Sequence, residues 1–160
     1  MKPFGPAIVV AAITLLSACS SATPAPPAAS APVSSAPAPK PAPPITGLKT
    51  AKTSLGNVIV DNKGMTVYMF TKDTKGTTTS ACTGGCLVAW PIVTVSSGTP
   101  KLTGITAKVG TITSPDGKKQ VTVDGWPIYY YAKDTKAGDV LGQNVGTVWF
   151  VLAPDGKVVK

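Results

Sequence analysis

Arginine, histidine and glutamate are absent from this chain of 160 residues, whose charged side chains are 15 lysines and 7 aspartates. Without histidine or glutamate there is no His-based catalytic triad, no HExxH zinc site and no glutamate to act as general acid or base. Without arginine no planar fork can clamp a phosphate or carboxylate, and every cation is a lysine point charge. Long apolar runs are scarce too. Ala7–Leu16 is apolar except for Thr14, and this is far short of the roughly 20 residues a membrane-crossing helix needs. From residue 46 onward there is neither a Gly-x-Ser-x-Gly elbow nor a Ser-x-x-Lys motif, so no serine has an obvious activating partner. The expectation is a protein that is not an enzyme, with no catalytic residues, no resident metal and no cofactor.

What is present begins with an address. Met1-Lys2 supplies a positive start, and Ala7–Leu16 suits the apolar region of an export signal. The segment closes with Leu16-Ser17-Ala18-Cys19, which resembles the lipobox of bacterial lipoproteins. In that family the cysteine receives a diacylglyceryl group and becomes the mature N-terminus. The resemblance implies a signal peptide over 1–18, lipidation of Cys19, and the lipid bilayer as a partner. It places the protein in the bacterial cell envelope, facing the periplasm or the exterior. Ser20, where an inner-membrane retention aspartate would stand, implies the outer membrane if the host has two membranes.

Residues 20–44 hold 9 Pro, 8 Ala and 5 Ser among 25, with Lys40 the one charge. Such a segment has too little to bury to offset its ordering entropy, and proline biases it toward extended polyproline II. A disordered linker over 19–45 is therefore expected, carrying a head over 46–160.

Three cysteines would leave an odd thiol in an exported protein. With Cys19 lipidated, Cys82 and Cys86 remain as a pair around Thr83-Gly84-Gly85. In an oxidising compartment they read as a structural disulfide pinning a short loop. The functional alternative is a redox couple, which needs a thiol pKa depressed by a helix N-terminus or a neighbouring cation.

From Thr46 on, Val, Ile, Thr, Tyr and Trp recur in short runs separated by turn residues, the pattern of an all-β domain. Asp61-Asn62-Lys63-Gly64, Pro115-Asp116-Gly117-Lys118 and Pro154-Asp155-Gly156 each separate two such runs. Asp124-Gly125 is a two-residue hairpin signal, because both residues tolerate positive φ. The stretch Gly64–Lys75 matches Gly125–Lys136 at a constant offset of 61, with six of twelve positions identical. A tryptophan follows in each half, Trp90 and Trp149, expected on a strand. The expected architecture is antiparallel hairpins in two homologous repeats, about 48–100 and about 105–160, forming one sandwich- or barrel-like head.

The two stretches Tyr68-Met69-Phe70-Thr71-Lys72-Asp73 and Tyr129-Tyr130-Tyr131-Ala132-Lys133-Asp134 fit the pattern Yx(F/W/Y)xxD. In this the chain resembles a family of predicted bacterial lipoproteins, also described as secreted repeats of unknown function. The likeness also takes in Leu55-Gly56, Cys82 to Cys86 followed by Trp90-Pro91, and Asp124-Gly125 leading into Pro127-Ile128-Tyr129. It spans nearly all of residues 48–157. The family implies an envelope lipoprotein and supplies no activity.

Residues two apart on a strand share a face, so Tyr68 pairs with Phe70 and Tyr129 with Tyr131. One reading makes these rings core packing and has Asp73 and Asp134 cap the Asp-Thr-Lys turns that they open. The other makes the motif a ligand groove, with tyrosines as platforms or donors and aspartates as acceptors. Tyr130 shares the opposite face with Trp126 and Ile128, which is the local hint of an exposed binding surface.

Tyrosine can ligate haem iron, so haem or iron handling by the tyrosine strands, or redox use of Cys82 and Cys86, is the alternative function. The seven aspartates lack the Asp-x-Asp-x-Asp-Gly pattern of a calcium loop. From residue 46 the net charge is +6, from 13 lysines and 7 aspartates, which makes anionic envelope polymers candidate partners. The lysines are dispersed singly, and without arginine or a basic stripe nucleic acid is a poor fit. The function expected is a non-catalytic binding or structural module at the cell surface.

Overall fold

The computed structural model describes residues 42–160. The signal segment, Cys19 and the linker up to residue 41 lie outside the described residues. The head is nearly all β, and its elements come as one motif used twice.

In the first repeat β1 (Gly47–Thr53) and β2 (Gly56–Asp61) form an antiparallel hairpin, followed by β3 (Tyr68–Phe70). In the second, β6 (Val109–Thr113) and β7 (Lys119–Val123) form the same hairpin, followed by β8 (Trp126–Tyr129). Asp124 and Gly125 take φ of 49° and 81°, the pair of positive values that lets a two-residue turn follow the twist of β7 and β8. β3 and β8 then pair antiparallel with Tyr68 directly opposite Tyr129. A pseudo-twofold axis thus runs between the two motif tyrosines.

The remaining elements complete two sheets. β9 (Trp149–Val151) pairs with β3, and the short β4 (Thr94–Val95) pairs with β7. The larger sheet runs β4-β7-β8-β3-β9, with β6 also on β7. The smaller sheet is β2-β1-β5, where β5 (Lys101–Thr103) lies parallel to β1. That parallel pair is no hairpin, and it is possible because a long excursion through the first repeat separates the two strands.

Trp90 is not on a strand. It ends α1 (Cys86–Ala89), a single helical turn. The segment still lies along β8, since Tyr130 N–H donates to Pro91 O at 2.8 Å and Ala132 N–H to Ala89 O at 2.9 Å. But Pro91 stands where the second repeat has Phe150, and proline has no N–H to give a ladder. Pairing there shrinks to an isolated bridge, Ile92 to Tyr129. Ile45 is buried and its N–H donates to Thr94 O at 2.7 Å.

Both faces of the larger sheet are covered. One packs Met69, Ile128, Tyr130 and Phe150 with Leu48, Val121 and Leu152. The other packs Tyr68, Phe70, Tyr129, Trp90 and Trp149 with Val58, Val60 and Cys82. Among the described residues no helix is long and apolar enough to cross a membrane.

Candidate functional site

The alternation of β3 and β8 puts Tyr68, Phe70, Tyr129 and Tyr131 on one face, and there they build a layered aromatic cluster. Phe70 stacks on Trp149 at 4.1 Å, Trp149 on Trp90 at 3.8 Å, and Trp90 on Tyr131 at 4.3 Å. The order Phe70–Trp149–Trp90–Tyr131 alternates between the repeats and reads the same from either end. Tyr68 meets Trp90 edge-on at 5.5 Å, and Tyr129 meets Trp149 edge-on at 5.2 Å. Offset stacks and edge contacts of this kind are each worth about 0.5–1.5 kcal/mol beyond area burial.

The hydroxyls cross the same axis. Tyr68 Oη–H donates to Asp134 Oδ2 at 2.6 Å, and Tyr129 Oη–H donates to Asp73 Oδ2 at 2.7 Å. Each repeat's tyrosine therefore holds the other repeat's aspartate. The second carboxylate oxygen reaches a loop: Asp73 Oδ1 accepts from Ala81 N–H at 2.6 Å, and Asp134 Oδ1 from Leu141 N–H at 3.0 Å. This corrects the expected capping. Neither aspartate caps the Asp-Thr-Lys turn that it opens. In the second repeat that task falls to Asp139, which accepts from Thr135 N–H and Lys136 N–H at 2.9 and 3.1 Å. Hydroxyl-to-carboxylate bonds this short are charge-assisted and roughly twice as strong as neutral ones.

Burial shifts the titration of both partners. Burial raises Asp73 and Asp134 above the usual carboxylate range, opposed for Asp73 by Ala81 N–H and Tyr129 and for Asp134 by Tyr68 and Leu141 N–H. Tyr68 is pushed well above 10, first by burial and then by the hydrogen bond and charge of Asp134. Tyr129 is raised as well, by burial above all, against the hydrogen bonding of Ser80. Both tyrosines remain protonated donors across the physiological range.

Backbone contacts repeat the exchange. Gly76 N–H donates to Gly125 O at 2.9 Å, and Gly138 N–H to Gly64 O at 3.3 Å. Each motif thus begins at a glycine that touches the turn closing the other motif. The approach leaves no room for a side chain: a Cβ on Gly64 would sit 2.9 Å from Ala137 Cβ. Gly142 is equally tight, since a Cβ there would fall 2.8 Å from the Tyr68 ring, while its N–H donates to Tyr68 Oη at 3.2 Å.

Cys82 and Cys86 form a disulfide with Cα atoms 5.4 Å apart. It pins the loop that carries Ser80, whose Oγ lies 2.5 Å from Tyr129 Oη. The opposite face of β8 is not the open aromatic surface expected of it. Ile128 and Tyr130 are buried, Trp126 is half-buried, and Tyr130 Oη–H donates to Asp61 Oδ2 at 2.9 Å. Sequence reasoning passed over that third tyrosine–aspartate pair, although Asp61 opens a recognisable turn. Nothing in the sequence marks Ser80 or Gly142.

Of the lysines that bracket the motif aspartates, Lys75 pairs with Asp124 at 2.6 Å and Lys136 with Asp139 at 2.5 Å. Neither reaches Asp73 or Asp134. Among the described residues no group of three or more carboxylates or thiols converges so as to hold a metal ion. The arrangement can fasten two half-domains together; its tyrosine oxygens are already occupied.

A sequence profile described as a secreted repeat of unknown function matches residues 49–94 and again residues 110–153. No curated protein and no solved structure matches the chain.

Proposed function

The chain belongs to the family of secreted repeats of unknown function, and from that premise we propose that it is a non-catalytic module of the bacterial envelope. The head is a rigid binding or structural unit, held to the bilayer by lipid on Cys19 and kept away from it by the proline-rich linker. The observation that carries this reading is the reciprocal exchange of Tyr68 to Asp134 and Tyr129 to Asp73. It occupies Tyr68, Tyr129, Asp73 and Asp134, which a ligand groove or iron handling by the tyrosine strands would use, and both tyrosines are at 0% exposure. Anionic polymers of the envelope are a secondary partner, drawn by the excess of lysine.

Growth of the host with an alkyne-bearing fatty acid tests the anchor. The native chain should take the label and sediment with membranes, whereas Cys19→Ala should do neither. Labelling that persists in Cys19→Ala, or unchanged sedimentation of that variant, would overturn the anchor. The reading also requires the Cys82–Cys86 bond to resist the glutathione pool. Reduction near the potentials of cellular oxidoreductases would instead place the protein among redox carriers.

A further inference from the structure

The ring stack between the repeats is symmetric in shape but not in chemistry. Its order is Phe70–Trp149–Trp90–Tyr131, with centroids 4.1, 3.8 and 4.3 Å apart. Phe70 closes one end and is buried, as are Trp149 and Trp90. Tyr131 closes the other end and is half-buried, so that end is the more open to solvent. Indole and phenol rings give up an electron far more readily than a plain benzene ring does. The stack is therefore open to a one-electron oxidant at Tyr131 and blind at Phe70.

Beside each indole stands a phenol whose proton already has a destination. Tyr68 meets Trp90 edge-on at 5.5 Å, and Tyr129 meets Trp149 edge-on at 5.2 Å. Tyrosine does not lose an electron readily unless its proton leaves too, because the phenol radical cation is a very strong acid. Tyr68 Oη–H points to Asp134 Oδ2 at 2.6 Å and Tyr129 Oη–H to Asp73 Oδ2 at 2.7 Å, so that proton moves along an existing hydrogen bond. The transfer turns a buried carboxylate into a neutral acid, which desolvation favours. Burial already raises the proton affinity of both aspartates. At 0% exposure, the two tyrosines are also kept from coupling with a radical on a second molecule.

We propose that the aromatic cluster is a one-electron relay, in which a radical oxidant at the Tyr131 end draws an electron from the Trp90–Trp149 pair and Tyr68 or Tyr129 refills it. The oxidant gains one electron and leaves an indole radical cation, whose charge the two parallel rings share. Tyr68 or Tyr129 then gives that cation one electron and passes its phenolic proton to Asp134 or Asp73. The products are two neutral indoles, a neutral tyrosyl radical and a neutral carboxylic acid. The step runs downhill, because at neutral pH a tyrosyl radical is a weaker oxidant than an indole radical cation. A one-electron donor reverses it as the proton returns to the tyrosine oxygen. The relay goes beyond the binding or structural reading of the head and does not depend on the Cys19 anchor, so each can fail separately.

The test is pulse radiolysis of the mature chain in nanodiscs of saturated phospholipid. Azide radical is the oxidant, and it becomes azide ion on taking one electron from an indole. The tryptophan radical should decay as a tyrosyl radical grows, at a rate independent of protein concentration. The growth should be slower in heavy water, because a proton moves with the electron. The tyrosyl radical should outlast ascorbate that at once clears the radical of free N-acetyltyrosinamide, as a buried ring requires and half-buried Tyr131 would not. Tyr68→Phe with Tyr129→Phe should abolish the ascorbate-resistant radical, while Tyr130→Phe, on the opposite face, should leave it unchanged. Growth that scales with protein concentration, or a radical that ascorbate clears promptly, would overturn the relay. So would loss of the resistant radical in Tyr130→Phe, or its survival in the paired Tyr68→Phe and Tyr129→Phe variant. The readings on the native chain decide the matter even if the paired variant fails to fold.

Discussion

The two repeats share a motif and an exchange of hydrogen bonds, yet they hold their loops by different means. In the first, the segment between the Asp-Thr-Lys turn and the tryptophan is closed by the Cys82–Cys86 bond and one helical turn. In the second, the matching segment is held by Asp139 on its turn, and by Gln143, which accepts from Val151 N–H at 2.9 Å and donates to Val159 O at 2.7 Å. Their tryptophans differ likewise: Trp149 is fixed by a strand, and Trp90 by a loop beside a proline. What both repeats keep is the seam itself. The lesson is that the pattern Yx(F/Y)xxD specifies contact with a second copy, while each copy's loop is free to be secured by whatever chemistry is at hand.

The aromatic stack offers the largest effect by which to break this symmetry. Trp90→Ala and Trp149→Ala should each cost about 3–5 kcal/mol in chemical unfolding. Since the two rings stack on each other, the double variant should cost less than the sum. Additive losses would mean that the halves are not joined through this stack.

Loss of the disulfide comes next. Cys82→Ser with Cys86→Ser should remove about 2 kcal/mol, the low end for so short a loop. Asp139→Ala, its counterpart in the second repeat, should destabilise by less, because its side-chain bonds are on a surface turn. A larger loss for Asp139→Ala would reverse the ranking of the two clasps.

Tyr68→Phe and Tyr129→Phe should each cost about 1–2 kcal/mol, since each leaves a buried carboxylate short of a donor. Equal losses would sharpen the twofold equivalence of the two bonds. A null result for one of them would confine the exchange to the other.

A smaller effect is the dependence on pH. Asp73 and Asp134 bind protons more tightly folded than unfolded. Their contribution to stability is greatest below the ordinary aspartate pKa of 3.8 and declines as pH rises through the raised folded values. Asp139 acts oppositely: the hydrogen bond from Lys136 lowers it to about 2, so its contribution is lost as pH falls toward that value. Asp73→Asn should flatten the decline on the rising side and leave the acid limb in place. At high pH, Tyr68, Tyr129 and Tyr130 should not ionise near 10, and their absorbance should rise together with unfolding.

The smallest effect concerns Thr147, which holds φ of 60° in the second repeat's loop, a conformation unfavourable for a β-branched residue. Thr147→Gly should raise stability by at most about 1 kcal/mol. The corresponding loop of the first repeat has its positive φ values at glycines, Gly76 and Gly84, and offers no such gain.

Much of this was legible in the chain. Alternation alone placed Tyr68 with Phe70 and Tyr130 with Ile128, because side chains on a strand have a period of two. Asp124-Gly125 announced its hairpin through the φ values that it tolerates. The destination of the motif aspartates was not legible, since Tyr68 and Asp134 are 66 residues apart and Tyr129 and Asp73 are 56 apart. Local spacing says that an aspartate follows a strand; it does not say whose tyrosine will meet it. Pro91 was visible and its consequence was foreseeable, because a residue without an N–H cannot extend a ladder. β1 with β5 was invisible for a different reason: β5 is exposed along its whole length and carries no apolar alternation to mark it.

The two indole rings at the centre of the molecule lie 3.8 Å apart and within 4° of parallel. Chromophores that close share their electronic transitions, so near-ultraviolet circular dichroism and tryptophan emission should both carry a signature of the paired state. That signal belongs to neither repeat alone. It is a built-in optical gauge of whether the halves are together, readable without any label.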